Sequence, residues 1–190
     1  MNSGEINYLL DSHLTIRRVF VGVYPSDLLP ARARSEKPCA YIINLDPHHL
    51  PGSHWICCYF PKVGYLPEYF DSYGGSPNPD IERFLGDGPY RQSTVAVQNL
   101  FSTVCGQYCI YYIWMRIHDH SMDSIINELR RKTPPVADLF VNAYIEQVLG
   151  QDFSVYDRQF LIRQIATAYD GRINSQRTTI RNGQSHTRGL

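Results

Sequence analysis

Four side chains spread along the sequence are of the kinds that nucleophilic catalysis by a thiol requires: His54, Asp71, Gln98 and Cys105. A cysteine attacks as the thiolate, so it needs a base to take its proton and a third group to orient that base. Cys105 stands where a long helix is expected to begin, and the positive end of the helix dipole favours a thiolate there by about 0.3–1 kcal/mol. His54 is the candidate base, and Asp71 is the candidate group that fixes the tautomer of the imidazole.

The same residues offer donors for the oxyanion that forms when a carbonyl group is attacked. Gly106 leaves the backbone N–H groups next to Cys105 unobstructed, and the carboxamide of Gln98 is a second donor. One such donor typically changes a reaction rate by about 10²- to 10³-fold. The residues therefore predict acyl transfer with His54, Asp71 and Cys105 as the catalytic groups and Gln98 in the oxyanion hole.

Taken one at a time, these residues also have purely structural interpretations. Cys105 could be inert core packing, Asp71 could form an Asx turn within DSYGG, and Gln98 could cap the end of a strand. A zinc site is the other chemical alternative, with Cys105, Cys109, His118 and His120 as its candidate ligands. The Cys-x3-Cys spacing lacks a second convincing pair of ligands, so no metal is predicted.

The order of these residues and the motifs around them resemble the cysteine proteases of the adenovirus endopeptidase (adenain) type and the related SUMO-specific proteases. The shared features are His54-Trp55, an acid ahead of a nearby glycine, and a glutamine seven residues before Cys105-Gly106. The similarity extends from about Phe20 to the helix that begins at Cys105. The flanking segments that take part in it are VGVY at 21–24, CAYIIN at 39–44 and GSHW at 52–55.

Two departures from the adenain pattern bear on which branch of these proteases the chain resembles and on whether it needs an activator. The acid at Asp71 is usual in the SUMO-protease branch, whereas the spacing from Gln98 to Cys105 favours the viral branch. In adenain an activating peptide is joined by a disulfide to a cysteine between the acid and the glutamine, and this chain has no cysteine between Asp71 and Gln98. No cofactor is therefore expected. The formal net charge of the chain is zero, so its Arg-rich end is the only candidate contact for a DNA activator.

The resemblance implies a cysteine endopeptidase that cleaves viral or virus-like structural precursors after small residues such as glycine, through an acyl-enzyme on Cys105. Its partners are then protein substrates, it is expected to be a monomer, and the host nucleus or the virion is its implied location. Gly106 and the large ring of Trp55 are the candidate residues of the substrate cleft, although Trp55 could equally belong to the core. Two other functions stay open: removal of SUMO or a similar ubiquitin-like modifier, and a non-catalytic interaction module that keeps the fold.

The composition favours one compact intracellular domain. The chain has 190 residues, of which 43% are apolar and 19% charged, and it lacks the run of about 20 apolar residues that a membrane span needs. Its five cysteines are an odd number, which favours reduced thiols over a disulfide scaffold. Cys57, Cys58 and Cys109 are expected to be packing residues, and His48-His49 is expected in a solvated turn.

Strands are predicted in the middle of the chain and helices at both ends, which indicates an α+β domain with a central mixed or antiparallel sheet flanked by helices. The predicted single domain spans residues 1–171, and a flexible basic tail is predicted at 172–190. The predicted strands are 19–24, 40–45, 54–60, 65–70 and 94–97. The predicted helices are 3–11 with Ser3 as N-cap, 105–118, 122–131, 135–149, and 155–169 with a capping box at Ser154.

Overall fold

A five-stranded mixed sheet lies at the centre of the computed structural model, which describes residues 1–30 and 37–149. The order of the strands in the sheet follows their order in the chain. The two outer pairs of neighbouring strands are parallel, and the two inner pairs are antiparallel. The strands are β1 (Phe20–Pro25), β2 (Cys39–Asn44), β3 (Trp55–Phe60), β4 (Glu68–Phe70) and β5 (Arg91–Gln92).

Helices surround this sheet in the described residues. They are α1 (Ser3–Ser12), a short 3-10 helix (Ile16–Arg18), α2 (Pro79–Leu85), α3 (Cys105–Ile117), α4 (Met122–Arg130) and α5 (Pro134–Leu149). α3 packs against β3 and α5 and is buried along most of its length, as its apolar sequence predicts. The mixed sheet with flanking helices confirms the α+β prediction.

Both faces of the sheet are covered by aromatic and aliphatic side chains. Cys58 belongs to the apolar cluster that includes Phe84 of α2, whereas Phe70 of β4 stacks on Tyr112 of α3 with ring centroids 4.4 Å apart. This double cover explains why β2 and β3 are apolar almost throughout rather than alternating. Cys57 and Cys58 are both fully buried, which confirms that they are packing residues.

The strand predicted at 94–97 is wrong. The N–H of Val97 bonds to the carbonyl of Ser72 at 2.8 Å, in the turn after β4, and the edge strand of the sheet is β5 instead. The turn packs directly on this segment, because a Cβ added to Gly74 would lie 2.8 Å from the backbone of Val95. Gln98 therefore lies in a loop rather than directly after a strand.

The start of α1 differs from the prediction by one residue. The side chain of Asn2 accepts from the N–H of Glu5 at 2.9 Å, and the side chain of Glu5 accepts from the N–H of Asn2 at 2.8 Å. This reciprocal arrangement is a capping box. Asn2 is therefore the N-cap, and Ser3 is the first helical residue.

Some predictions concern residues that the structure does not describe. The helix at 155–169, its capping box at Ser154, the basic tail at 172–190 and the domain boundary at 171 lie outside residues 1–30 and 37–149. Within the described residues, each helix is too short or too polar to cross a membrane.

Candidate active site

The register of the sheet brings His54 next to Asp71. His54 directly precedes β3, and Asp71 directly follows β4. The two strands are antiparallel with Cys57 opposite Phe70, so both residues lie at the same end of the sheet. The Nε2 atom of His54 lies 2.6 Å from Oδ1 of Asp71, and both side chains are buried. The imidazole donates Nε2–H to the carboxylate, which leaves its Nδ1 atom for a second partner.

Further hydrogen bonds from the following turn and from Ser93 hold Asp71 in place. Its Oδ1 accepts from the N–H of Tyr73 at 2.8 Å, and its Oδ2 accepts from the N–H of Gly75 at 3.0 Å. The hydroxyl of Ser93 accepts from the N–H of Asp71 and donates to its carbonyl, both at 2.9 Å. A Cβ on Gly75 would lie 2.7 Å from Oδ2, so this approach requires glycine. Asp71 thus forms an Asx turn and orients His54 at the same time.

Cys105 is the first residue of α3. The preceding residue, Val104, provides no side-chain cap, so the first N–H groups of the helix stay available to a negative group. Burial of the thiol raises its pKa, but the neighbouring His54 and the N–H groups of Trp55 and Gly106 outweigh burial and lower that pKa below its ordinary value. The surroundings of Cys105 therefore favour the thiolate.

The pKa of His54 moves in the direction that an ion pair requires. Burial acts to lower it, but the hydrogen bonds to Asp71 and Cys105 outweigh burial and raise the pKa from 6.5 to about 9. Asp71 occupies Nε2, and the buried Nδ1 atom has no competing partner among the described residues, so Nδ1 is the nitrogen that remains for the thiol. Both shifts therefore favour a thiolate–imidazolium pair of Cys105 and His54.

Gln98 is buried, and both ends of its carboxamide are hydrogen-bonded. Its Oε1 atom accepts from the hydroxyl of Ser72 at 2.6 Å. Its Nε2 atom lies 3.0 Å from both the carbonyl and the hydroxyl oxygen of Ser102, and 3.1 Å from the hydroxyl of Tyr73. The donors that the sequence assigns to the oxyanion hole are thus bonded to acceptors of the protein, beside the loop that leads into Cys105.

A cleft of about 540 Å³ opens beside Cys105. Trp55 lines this cleft, and its indole N–H donates to the carbonyl of Met1 at 3.1 Å, so the chain ahead of α1 belongs to the same wall. Gly106 packs against Trp55 and α1, where an added Cβ would lie 3.5 Å from the indole and 3.3 Å from Ile6. Trp55 is therefore a cleft residue, while Gly106 provides the room that lets α1 and the indole approach α3.

Three residues that the sequence does not single out complete the site: Ser72, Tyr73 and Ser93. Tyr73 lines the cleft and stacks on the ring of His54, with ring centroids 4.6 Å apart and planes inclined by 25°. Ser72 and Tyr73 directly follow Asp71 within DSYGG, so their proximity to the acid is visible in the sequence. Ser93 carries no such signal, because it lies 22 residues away from Asp71 along the chain.

The residues of the alternative zinc site are dispersed. Cys105 is the first residue of the 13-residue α3, which is about 20 Å long, and His118 follows its last residue. Cys109 is buried in the core, as predicted, whereas His118 and His120 are exposed. Within the described part of the chain, Asp27, His48 and His49 are the group whose three ligand atoms all lie within 4.8 Å of one another, and this group lies at the surface.

No protein-family model matches the chain, and no curated protein matches it. Among solved structures, it is similar to the crystal structure of the ASFV pS273R protease, with a TM-score of 0.46 and 20% identity over 71% of this chain and 64% of that one. It is also similar to the Se-Met crystal structure of the ASFV pS273R protease, with a TM-score of 0.38 and 27% identity over 55% of this chain and 43% of that one. The chain thus spans less than two thirds of the length of either structure.

Proposed function

We propose that the protein is a cysteine endopeptidase with Cys105 as its nucleophile. The observation that carries this proposal is the connected set Cys105, His54 and Asp71 beside a cleft, with the pKa of the thiol lowered and that of the imidazole raised to about 9. Burial alone would lower the pKa of a histidine and raise that of a cysteine. Both pKa values are shifted the other way, which supports a catalytic pair over core packing.

In the proposed reaction the thiolate of Cys105 attacks the carbonyl carbon of a peptide bond. A C–S bond forms, and the π electrons of the carbonyl move onto its oxygen, where the N–H of Cys105 and the carboxamide of Gln98 stabilise the negative charge. The C–N bond then breaks as imidazolium His54 gives its proton to the leaving amine. A water molecule that His54 deprotonates attacks the thioester, which releases the carboxylic acid and restores the thiolate–imidazolium pair.

The proposed substrates are viral or virus-like structural precursors that are cut after small residues such as glycine. The resemblance of the sequence to adenain supports this choice, as do the rings of Trp55 and Tyr73, which both line the cleft with Cys105. Two large rings beside the nucleophile leave most room for residues without a bulky side chain. The proposal includes action as a monomer, without a cofactor, in the host nucleus or the virion.

The test is a cleavage assay of the full chain on a peptide that contains Gly-Xaa-Gly and on a SUMO fusion. We expect the wild-type protein to cleave the peptide and Cys105→Ala to be inactive. Cys109→Ala is the matched control, because Cys109 lies one turn further along α3 and is buried in the core. This variant should keep its activity.

Two results would contradict the proposal at different levels. Cleavage of the fusion alone would replace the precursor substrates by a ubiquitin-like modifier, while the chemistry at Cys105 would stand. Cleavage of neither substrate, together with equally slow alkylation of all five cysteines at mildly acidic pH, would favour a non-catalytic interaction module.

A further inference from the structure

Ser72 holds Gln98 by the backbone and by the side chain. The carbonyl of Ser72 accepts from the N–H groups of Val97 at 2.8 Å and Gln98 at 3.1 Å. The hydroxyl of Ser72 donates to Oε1 of Gln98 at 2.6 Å. Both residues are 1% exposed, so water does not compete for these bonds. The turn that contains Asp71 is thereby joined directly to Gln98.

These contacts decide which end of the carboxamide faces which neighbour. The oxygen and the nitrogen of a carboxamide are almost equal in size, but the oxygen only accepts and the nitrogen only donates. In the observed orientation Oε1 of Gln98 receives the proton of the Ser72 hydroxyl, and Nε2 faces the carbonyl oxygen of Ser102 at 3.0 Å. The reversed orientation would set Oε1 against that carbonyl, which has no proton to donate.

The nitrogen of Gln98 has more acceptors than it has protons. Nε2 carries two N–H groups, and three oxygens from Ser102 and Tyr73 lie within 3.1 Å of it. One N–H can therefore move to a substrate oxyanion while the other stays bonded to the protein. Oε1 remains on Ser72 throughout, so the carboxamide need not reverse.

We propose that Ser72 is a positioning residue that fixes the Gln98 carboxamide with its Nε2–H groups on the side of the oxyanion. The inference deepens the proposed function and rests on it. Asp71 sets the orientation of His54, and the next residue in the chain sets the orientation of Gln98. One short turn thus positions both the base and the oxyanion donor relative to Cys105.

A double-mutant cycle with kinetics on the cleaved peptide tests this role. Gln98→Ala should lower kcat by about 10²- to 10³-fold, and Ser72→Ala should lower kcat by about 10- to 100-fold with KM nearly unchanged. The double variant should be no slower than Gln98→Ala, because Ser72 acts only through Gln98. Ser26→Ala is the matched control, since Ser26 is also buried and its hydroxyl donates to the carbonyl of Leu45 at 3.0 Å. This control should keep the wild-type kcat.

Two kinetic results would overturn the inference: a wild-type kcat in Ser72→Ala, or an equal loss from Ser72→Ala with and without Gln98. The second measurement needs no activity. The side-chain NH₂ resonances of Gln98, assigned by their loss in Gln98→Ala, should shift in Ser72→Ala and stay in place in Ser26→Ala. If the wild-type protein cleaves nothing, the proposed function fails. Unchanged Gln98 resonances in Ser72→Ala would instead show that the positioning role is wrong.

Discussion

Two histidine–aspartate pairs among the described residues have the same separation and very different surroundings. His54 and Asp71 approach to 2.6 Å, and so do His48 and Asp27. The side chains of the first pair are 9% and 4% exposed, whereas those of the second are 57% and 27% exposed. The first pair also has a thiol as its third member, Cys105. The distance between the imidazole and the carboxylate is therefore the same in both pairs, and burial and the neighbouring thiol are what distinguish the first pair.

The physical reason is the solvent. An exposed ion pair is screened by water and stabilises a fold by about 0–1 kcal/mol, whereas charges in a water-poor site interact more strongly. The rings that contact the two histidines differ as well. Tyr73 stacks on His54 with the ring centroids 4.6 Å apart, while His49 meets His48 edge-on at 5.4 Å. The same two residue types thus form a buried pair, which is a base and its orienting acid in the proposed function, and an exposed surface contact.

Among these predictions, the largest effect should be the difference in kcat/KM between matched substitutions of the two aspartates. Asp71→Asn should lower kcat/KM by about 10³- to 10⁴-fold, because an amide no longer holds His54 in the productive tautomer. Asp27→Asn removes the same charge from the exposed pair and should change kcat/KM by less than about twofold. Peptide cleavage at neutral pH measures both. Similar losses in the two variants would mean that burial does not distinguish the pairs.

Alkylation of the cysteines should show the next largest effect. At about pH 6 iodoacetamide should modify Cys105 and spare Cys57 and Cys109, because burial raises the pKa of these two thiols. His54→Ala should slow the modification of Cys105 on the order of tenfold or more, since only the N–H groups of Trp55 and Gly106 then oppose the rise in the pKa of this thiol that burial causes. Peptide mass mapping identifies the modified thiols, and Asp27→Asn is the control. Equal labelling of Cys105 and Cys109 would count against a special environment at Cys105.

The buried pair should also make stability depend on pH. The pKa of folded His54, about 9, lies above its ordinary value of 6.5. Its contribution is therefore complete below pH 6.5 and is lost as the pH rises through about 9. In a Cys105→Ala background the thiol does not titrate, and its part of the rise in the His54 pKa is lost as well. His54→Gln should therefore lower the free energy of unfolding in this background by less than about 3 kcal/mol near pH 6.

The same experiment near pH 9.5 should show a much smaller difference between the two proteins, since His54 is then neutral in both states. His48→Gln in the Cys105→Ala background is the control for the exposed pair and should change the free energy of unfolding by less than about 1 kcal/mol at both pH values. Urea denaturation gives these free energies. An effect of His54→Gln that is equal at both pH values would indicate packing rather than charge.

The stacked ring should have the smallest effect. Tyr73→Leu removes the aromatic ring that stacks on the imidazolium of His54. Because this cation–π interaction contributes about 0.5–1 kcal/mol, the pKa of His54 should fall by less than about one unit. Tyr73→Phe keeps the ring and should leave this pKa in place. NMR titration of the imidazole measures both values. Equal shifts in the two variants would assign the effect to the hydroxyl of Tyr73 instead of its ring.

Local pattern was enough to propose the chemical groups. The sequence points to His54, Asp71, Gln98 and Cys105 from residue type, order and flanking motif, and in the structure the imidazole is hydrogen-bonded to the carboxylate and interacts with the thiol. The sequence also distinguishes the candidate base His54 from His48, which is predicted in a solvated turn and is exposed. The long, apolar α3 was predictable for the same reason, because a helix that is apolar on all sides has a strong local signal.

The parts that depend on distant segments could not be predicted. Residues 94–97 are rich in the residue types of strands, yet the N–H of Val97 bonds to the carbonyl of Ser72, 25 positions earlier in the chain. The contacts of Ser93 with Asp71 and of Trp55 with Met1 also join residues that are remote in sequence, 22 and 54 positions apart. Hydrogen bonds of this kind leave no periodicity behind, so only the folded chain displays them.

The connection between β3 and β4 is a suitable place to attach an epitope or a fluorophore. β3 starts beside His54 and β4 ends beside Asp71, so the connecting segment 61–67 lies at the far end of the sheet, about 20 Å away for a six-residue strand. Two of its side chains, Val63 and Tyr65, are 71% and 64% exposed. An epitope or a fluorophore inserted there would report on the protein, or fix it to a surface, without entering the cleft beside Cys105.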